Sequence, residues 1–447
     1  MMKPDFLHKT LMLCSLFLAA NIAFGQQINS VQSPVKLTLN EVWSKATTNN
    51  KNIRIQQLRV EGSQEEILDA KAERLPEINA TGQYARVSNV PLYTNGLFHT
   101  PEQFEVVHTS YRVGADAYLN LYNGNKTNNN ISRQQIIHQI GSEQKNMTVS
   151  DIKLQASAYF LDLQRSTIFK QLILTHISDQ EKQLEQIRQL QKNGVVLKSD
   201  VLRAELQLSR TQLSLTQIEN DYAIANQKLN ILMGEPDETP VVPSEVPQVD
   251  ELPMKAYPEY LSIAMENAHQ NKISEQEIKL RRLQLKDVRG NVSPKVGLFA
   301  DYNYSYPQVQ FYPYSITLYG LGLAGIRASF PIDALYHNRH KVKAAEIEYK
   351  QQELEHQTTQ DQIRQKVNEA FLRYEEALNR IRVAKTNIAQ ATESSRIVTN
   401  TYFNQLSLVT DLLESNTELL QSRFDLAAAQ IAAQLQYYQL QNVIGNL

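Results

Sequence analysis

The chain has 447 residues, a formal net charge of -2 and a single cysteine, and its acidic and basic residues are interspersed. With no basic stripe, nucleic acid is not an expected partner. Beyond the N-terminal segment no stretch reaches the roughly 18 apolar residues that a membrane-spanning helix needs, so any part that crosses a membrane must do so as β-strands.

Met1 to Gly25 has the form of a secretory signal: Lys3, His8 and Lys9 give a basic start, Leu11 to Ala20 an apolar run, and Ala23-Phe24-Gly25 a small-residue cleavage site. The mature chain is expected to begin at Gln26. Cys14 lies within the apolar run and follows Leu13, not the small residue of a lipid-attachment site, so neither a lipid anchor nor a disulfide is expected. After a lead-in from Gln26 to Val35, a helix is predicted over about 40–75, interrupted near Thr47 to Asn50. It stops before Pro76, because proline disfavours helix in the residue before it. From Glu77 to Tyr122 the period falls to two. Tyr111, Val113, Ala115, Ala117, Leu119 and Leu121 share one face, while Arg112, Gly114, Asp116, Tyr118 and Asn120 share the other. This is a hairpin whose loop, roughly Tyr93 to His108, carries Thr94-Asn95-Gly96 and Pro101.

Asn125 to Asn193 then runs for about 69 residues without proline and with Gly141 as its only glycine. A helix of that length spans roughly 100 Å, which no compact domain can bury. Ile140, Met147, Leu154, Leu161 and Ile168 recur every seventh residue, a seam suited to a left-handed supercoil. The turn from Asn193 to Asp200 leads into a helix over about 199–233, followed by a Pro-rich linker over 235–257.

The same order then repeats, with a helix over about 258–291, a hairpin over 295–332, a long helix over 335–404 and a final helix over 409–444. Adding 211 to a residue number carries Leu119 to Phe330, Leu161 to Leu372, Asn193 to Asn404, Asp200 to Asp411 and Gly234 to Gly445. In the second long helix Ala370, Ala377, Ala384, Ala391 and Val398 alternate with Tyr374, Ile381 and Ile388, and the alanines allow close approach of a neighbour. Each pair of shorter helices adds up to the length of its long helix, so two short ones stacked end to end would flank one long one. The two hairpins hold about half of all Tyr and Phe in about a fifth of the chain, the composition of membrane-interface belts. Four strands cannot close a barrel, so several chains must combine.

The duplicated unit, the Leu75-Pro76 and Ser293-Pro294 boundaries and the turns Asn193-Gly194-Val195 and Asn404-Gln405-Leu406 resemble the TolC family of outer-membrane efflux proteins over essentially the whole mature chain. The resemblance implies a mainly α fold with a membrane β-barrel portion. In it a homotrimer forms a twelve-stranded barrel that continues as a twelve-helix periplasmic tunnel. It also implies docking on a periplasmic adaptor (membrane fusion) protein and an inner-membrane transporter, in the outer membrane of a Gram-negative bacterium. The expected docking tip is Asn193, Gly194, Val195, Val196 and Leu197 with Asn404, Gln405, Leu406, Ser407 and Leu408. The expected gate and entrance ring is Asp200, Arg203, Tyr402, Asp411 and Glu414, with Asp200 and Asp411 also serving as helix N-caps. Gln405 replaces the glycine of the first turn, and Ser407 stands where some relatives carry an arginine.

Other motifs lead elsewhere or nowhere. Gly320-Leu321-Gly322-Leu323-Ala324-Gly325 fits a dinucleotide fingerprint but sits within an alternating strand that leads to Phe330-Pro331, not ahead of a helix. His337 and His340 lack a third metal ligand nearby, and Asn123, Asn125 and Asn128 to Asn130 suit helix capping. No nucleophile, base and orienting group share a recognisable spacing, so neither an enzyme nor a cofactor is expected. The leading function is a passive exit duct for small molecules driven by an upstream pump. The alternatives are a duct for secreted polypeptide, a periplasmic adaptor and a coiled-coil structural rod. Duplication argues against the adaptor and the β segments against the rod.

Overall fold

The computed structural model of the protein describes residues 34–244, 253–309 and 313–447. The signal segment with Cys14, the start at Gln26 and most of the lead-in lie outside the described residues, as do 245–252 of the linker and 310–312 of the second hairpin loop. The first copy comprises β1 (Val35–Leu37), α1 (Leu39–Asn49), α2 (Lys51–Ala72), β2 (Glu77–Arg86), β3 (Val90–Leu92), β4 (Glu102–Phe104), β5 (Thr109–Tyr122), α3 (Lys126–Lys192) and α4 (Lys198–Met233). After β6 (Val241–Pro243) come α5 (Tyr257–Asn267), α6 (His269–Arg289), β7 (Lys295–Tyr306), β8 (Tyr319–Ser329), α7 (Ala334–Phe403) and α8 (Val409–Val443).

Local chemistry sets the helix boundaries. Thr38 and Glu41 form a reciprocal capping box at the start of α1, with the Glu41 carboxylate accepting from the Thr38 N–H at 2.7 Å. Asn50 ends α1 and opens α2, its Oδ1 accepting from the N–H of Asn52 at 2.9 Å. The predicted interruption near Asn50 is thus a true break. A second break at Ala268, between α5 and α6, carries no proline or glycine and was not expected. It occupies the matching place, since Asn50 and Ala268 have the same spacing as Pro76 and Pro294. Each break receives the end of a later helix. Asn49 Nδ2 donates to Met233 O at 2.8 Å, where α4 ends. Past the end of α8, Gly445 adopts a φ of +78°, and a Cβ there would lie 2.5 Å from Asn267 O. The short helices therefore do meet end to end.

α2 and α4 line one flank of α3 and α6 and α8 the other, and α7 packs on the far side of α6 and α8. On α7 the middle of the predicted seam is buried, at Tyr374, Ala377, Ile381 and Ala384, with Ala377 and Ile381 packed against Ala433 of α8, whereas Ala370, Ile388, Ala391 and Val398 at its two ends are only half-buried. On α3 the predicted seam is not the deepest row. Ile140, Met147, Leu154 and Ile168 are only half-buried, whereas Ile152, Ala156 and Leu163, then Ile173, Ile177, Leu184 and Ile187, are buried. A helix with neighbours on two flanks carries two seams, and a single heptad register captures only one. The core around Ala156, Phe160 and Leu163 takes in Val42, Leu229 and Met233. Trp43 anchors it by donating from Nε1 to Lys153 O at 3.1 Å and Ser157 Oγ at 3.0 Å.

A parallel pairing of β1 with β6 ties the start of the chain to the stretch expected to be only linker. The main sheet has the order β2-β5-β7-β8, all antiparallel, with β5 and β7 joining the two copies. Its outer strands β2 and β8 have no further neighbour among the described residues.

Candidate functional site

Two regions can serve a conduit, the sheet at one end and the paired helical turns at the other. In the sheet, the register places Ile78, Ala80, Gly82 and Tyr84 of β2 beside Ala117, Ala115, Val113 and Tyr111 of β5. These in turn lie beside Ala300, Tyr302, Tyr304 and Tyr306 of β7. One face of all four strands is thus apolar, with tyrosines gathered toward the hairpin loops. The opposite face carries Asn79, Thr81 and Gln83, then Arg112 and Asp116, then Asp301, Asn303 and Ser305, and on β8 it turns apolar, with Tyr319, Leu321 and Leu323. On that face Asn79 Nδ2 donates to Asp116 Oδ2, and Asn303 Nδ2 to Asp301 Oδ1, each at 3.2 Å. The glycine-rich run in β8 supports aromatic rings: Cβ atoms at Gly320 and Gly322 would lie 2.7 Å and 2.8 Å from Tyr302 atoms. Ile78 is 72% exposed and Ile326 71%, so this apolar face has no covering among the described residues.

At the far end, α3 and α7 close in the same way. Val195 N–H donates to Leu190 O at 2.9 Å and Leu406 N–H to Thr401 O at 2.8 Å. Gly194 has a φ of +72° and Gln405 a φ of +62°, so the second turn keeps the left-handed conformation without glycine. Leu184, Ile187 and Ala204 of the first copy pack with Tyr402, Val409 and Leu412 of the second, which holds the two turns side by side. Leu197, Leu406 and Leu408 project from the tip, at 71%, 78% and 68% exposure. Val196 instead packs into the tip core, and Ser407 Oγ accepts from Thr401 Oγ1 at 3.3 Å.

Asp200 and Asp411 are not N-caps. Leu197 and Leu408 hold those positions, and each Asp, three residues on, accepts from the N–H of its leucine, at 3.4 Å and 3.1 Å. The leucines cannot reciprocate, so only half of a capping box exists. Tyr402 is 5% exposed, and its Oη has no hydrogen-bond partner among the described residues. Burial first, and the nearby Asp200 second, push its phenol pKa up. Arg203 and Glu414 are both exposed, and among the described residues no ion pair joins them. The cross-helix pair near the tip is Arg188 with Glu205 at 2.7 Å. Sequence reading missed this pair, and also Asn416, which donates to Gln183 Oε1 at 3.0 Å and so links the copies. At the other end of α7, His337 Nδ1 lies 3.7 Å from Asp333 Oδ2 on an exposed surface.

The family described as outer membrane efflux protein matches residues 42–235 and again 260–446, most of the chain in two successive stretches. Among solved structures, the fold is similar to CusC at 15% identity and a TM-score of 0.78, covering 95% of this chain and 96% of CusC. It is similar to VceC from Vibrio cholerae at 14% identity and a TM-score of 0.73, covering 91% of this chain and 96% of VceC. It is also similar to the open state of the MtrE outer membrane channel of Neisseria gonorrhoeae, at 15% identity and a TM-score of 0.72, covering 91% of this chain and 88% of MtrE. No curated protein sequence matches significantly.

Proposed function

The chain belongs to the outer membrane efflux protein family, and from that premise we propose that three copies form the outer-membrane exit duct of a tripartite efflux system. The observation that carries this reading is the four-stranded sheet with one apolar face, an opposite face that is polar on β2, β5 and β7, and two edges that no other strand joins among the described residues. Such a sheet is stable in lipid only when its edges are joined to those of other copies, with the polar face turned inward around water. The helices support the same assembly. Leu354, Leu372 and Val383 on the free flank of α7, and Leu202, Leu206 and Leu213 on α4, are exposed stripes that adjoining copies would cover.

In this reading the duct is passive, and the family is one of transport ducts, not catalysts. An inner-membrane transporter supplies the driving force. A periplasmic adaptor grips the tip through Leu197, Leu406 and Leu408, at the end of helices roughly 100 Å long. Asp200, Asp411 and Glu414, repeated three times around the narrow end, would concentrate cations there. Recording from the purified protein in planar bilayers tests the proposal. Stepwise currents of uniform size are expected, and a preparation that inserts yet passes no current would overturn it.

A further inference from the structure

We infer that the outer mouth of the duct carries a binding site for amphiphilic cations, formed between the loops of the two hairpins. The inference rests on the exit-duct reading for its orientation, and on an observed cavity for its chemistry. That cavity, of about 540 Å³, lies between the β2–β5 loop and the β7–β8 loop. Its walls are Phe104, Val107, Pro307, Val309, Tyr314 and Ile316. Val309, Tyr314 and Ile316 are 65%, 69% and 68% exposed, so these large apolar groups leave most of their surface open. At the base of the second loop Gln308 and Ser315 pair in both directions through their backbones, at 2.9 Å and 3.0 Å.

Two features fix what such a cavity would take. Val87 and Ser110, also in its lining, continue the polar-face rows of β2 and β5, so it opens on the side the barrel turns toward its lumen. Cargo passing a polar barrel wall would meet an apolar, aromatic recess just before leaving. Among the described residues the only charge in the lining is Glu105. Between Arg86 and Arg112, and between Lys295 and Arg327, the sequence has no lysine or arginine. A carboxylate with two aromatic rings and no lysine or arginine in either loop is the donor set that attracts organic cations, through charge and through the ring faces. The volume lies in the range of small-molecule sites.

The test uses the full-length protein in lipid nanodiscs, with ethidium as a planar aromatic cation and N-phenylnaphthylamine as a neutral apolar probe. Fluorescence anisotropy is read after subtracting empty discs. Saturable ethidium binding is expected. It should weaken about tenfold in Glu105→Gln, while the neutral probe is unaffected by that change. Ile316→Asn should weaken both probes. Ethidium binding that is absent, or unchanged in both variants, would overturn the site. Bilayer currents from the same preparations report separately on the duct: a conducting protein that does not bind ethidium sinks this inference alone, whereas loss of conduction sinks the reading beneath it.

Discussion

The junction between sheet and helices gives the sharpest test of the packing argument. Gly124 has a φ of +75°, and a Cβ there would stand 2.7 Å from Gly290 O and 2.8 Å from Ser293 Cβ. Gly290 faces it with a φ of -68°, and its own Cβ would lie 2.9 Å from Gly124 O. Two separable penalties follow. Alanine in the left-handed region costs about 1–2 kcal/mol, and forcing a methyl against backbone costs about 1–3 kcal/mol. Gly124→Ala incurs both, about 2–5 kcal/mol in total. Gly290→Ala incurs only the contact. Gly96→Ala, at a φ of +92° with nothing within 4 Å, incurs only the backbone strain. Thermal melting of the three purified variants should rank Gly124→Ala as the most damaged and Gly96→Ala as the least. Gly124→Ala melting alongside wild type would refute the claim that this glycine pair permits the two copies to meet.

Four further outcomes are expected. Tyr374 is fully buried, its Oη has no hydrogen-bond partner among the described residues, and burial pushes its pKa up to about 12. Tyr374→Phe removes an unsatisfied polar atom and should raise the melting temperature, and a fall would show that the hydroxyl has a partner. Burial holds the His176 imidazole below its ordinary pKa, opposed by Asp179 and aided by Arg423. The unfolded chain therefore takes up a proton at higher pH than the folded one. The stability contribution is present above the ordinary histidine pKa and is lost as pH falls through the folded value. Melting between about pH 7 and 5 should fall less steeply in His176→Gln, and parallel curves would contradict this. Leu197→Asp with Leu406→Asp should abolish transport while trimers persist, and undiminished transport would remove the tip as the docking surface. Asp411→Asn with Glu414→Gln should lower cation selectivity in bilayers, and unaltered selectivity would leave Asp411 only its bond to the Leu408 N–H.

Long-range order was legible where a local period carried it. The two long helices run as α3 and α7 because each lacks proline over its length and carries a heptad seam, and the strand faces followed from alternation alone. Features that depend on partners distant in sequence were not legible. The pairing of β1 with β6 uses three-residue strands, one ending in Pro243, too short to show alternation. The break at Ala268 has no residue that forbids helix, and Gly445 fits against the neighbouring Asn267 carbonyl from the far end of the chain. At the tip, residue types located the turns but not the sides they face. Val196 and Leu197 are adjacent and equally apolar, yet one is packed and the other projects. The capping role of Asp411 was displaced by three residues because a carboxylate can reach back as readily as it can sit at the cap.

The central claim is that this sheet closes only in company. Native mass spectrometry of the full-length protein released from membranes in mild detergent tests it directly. A single species of three chains is the predicted result, and a stable monomer that retains its folded sheet would contradict the account.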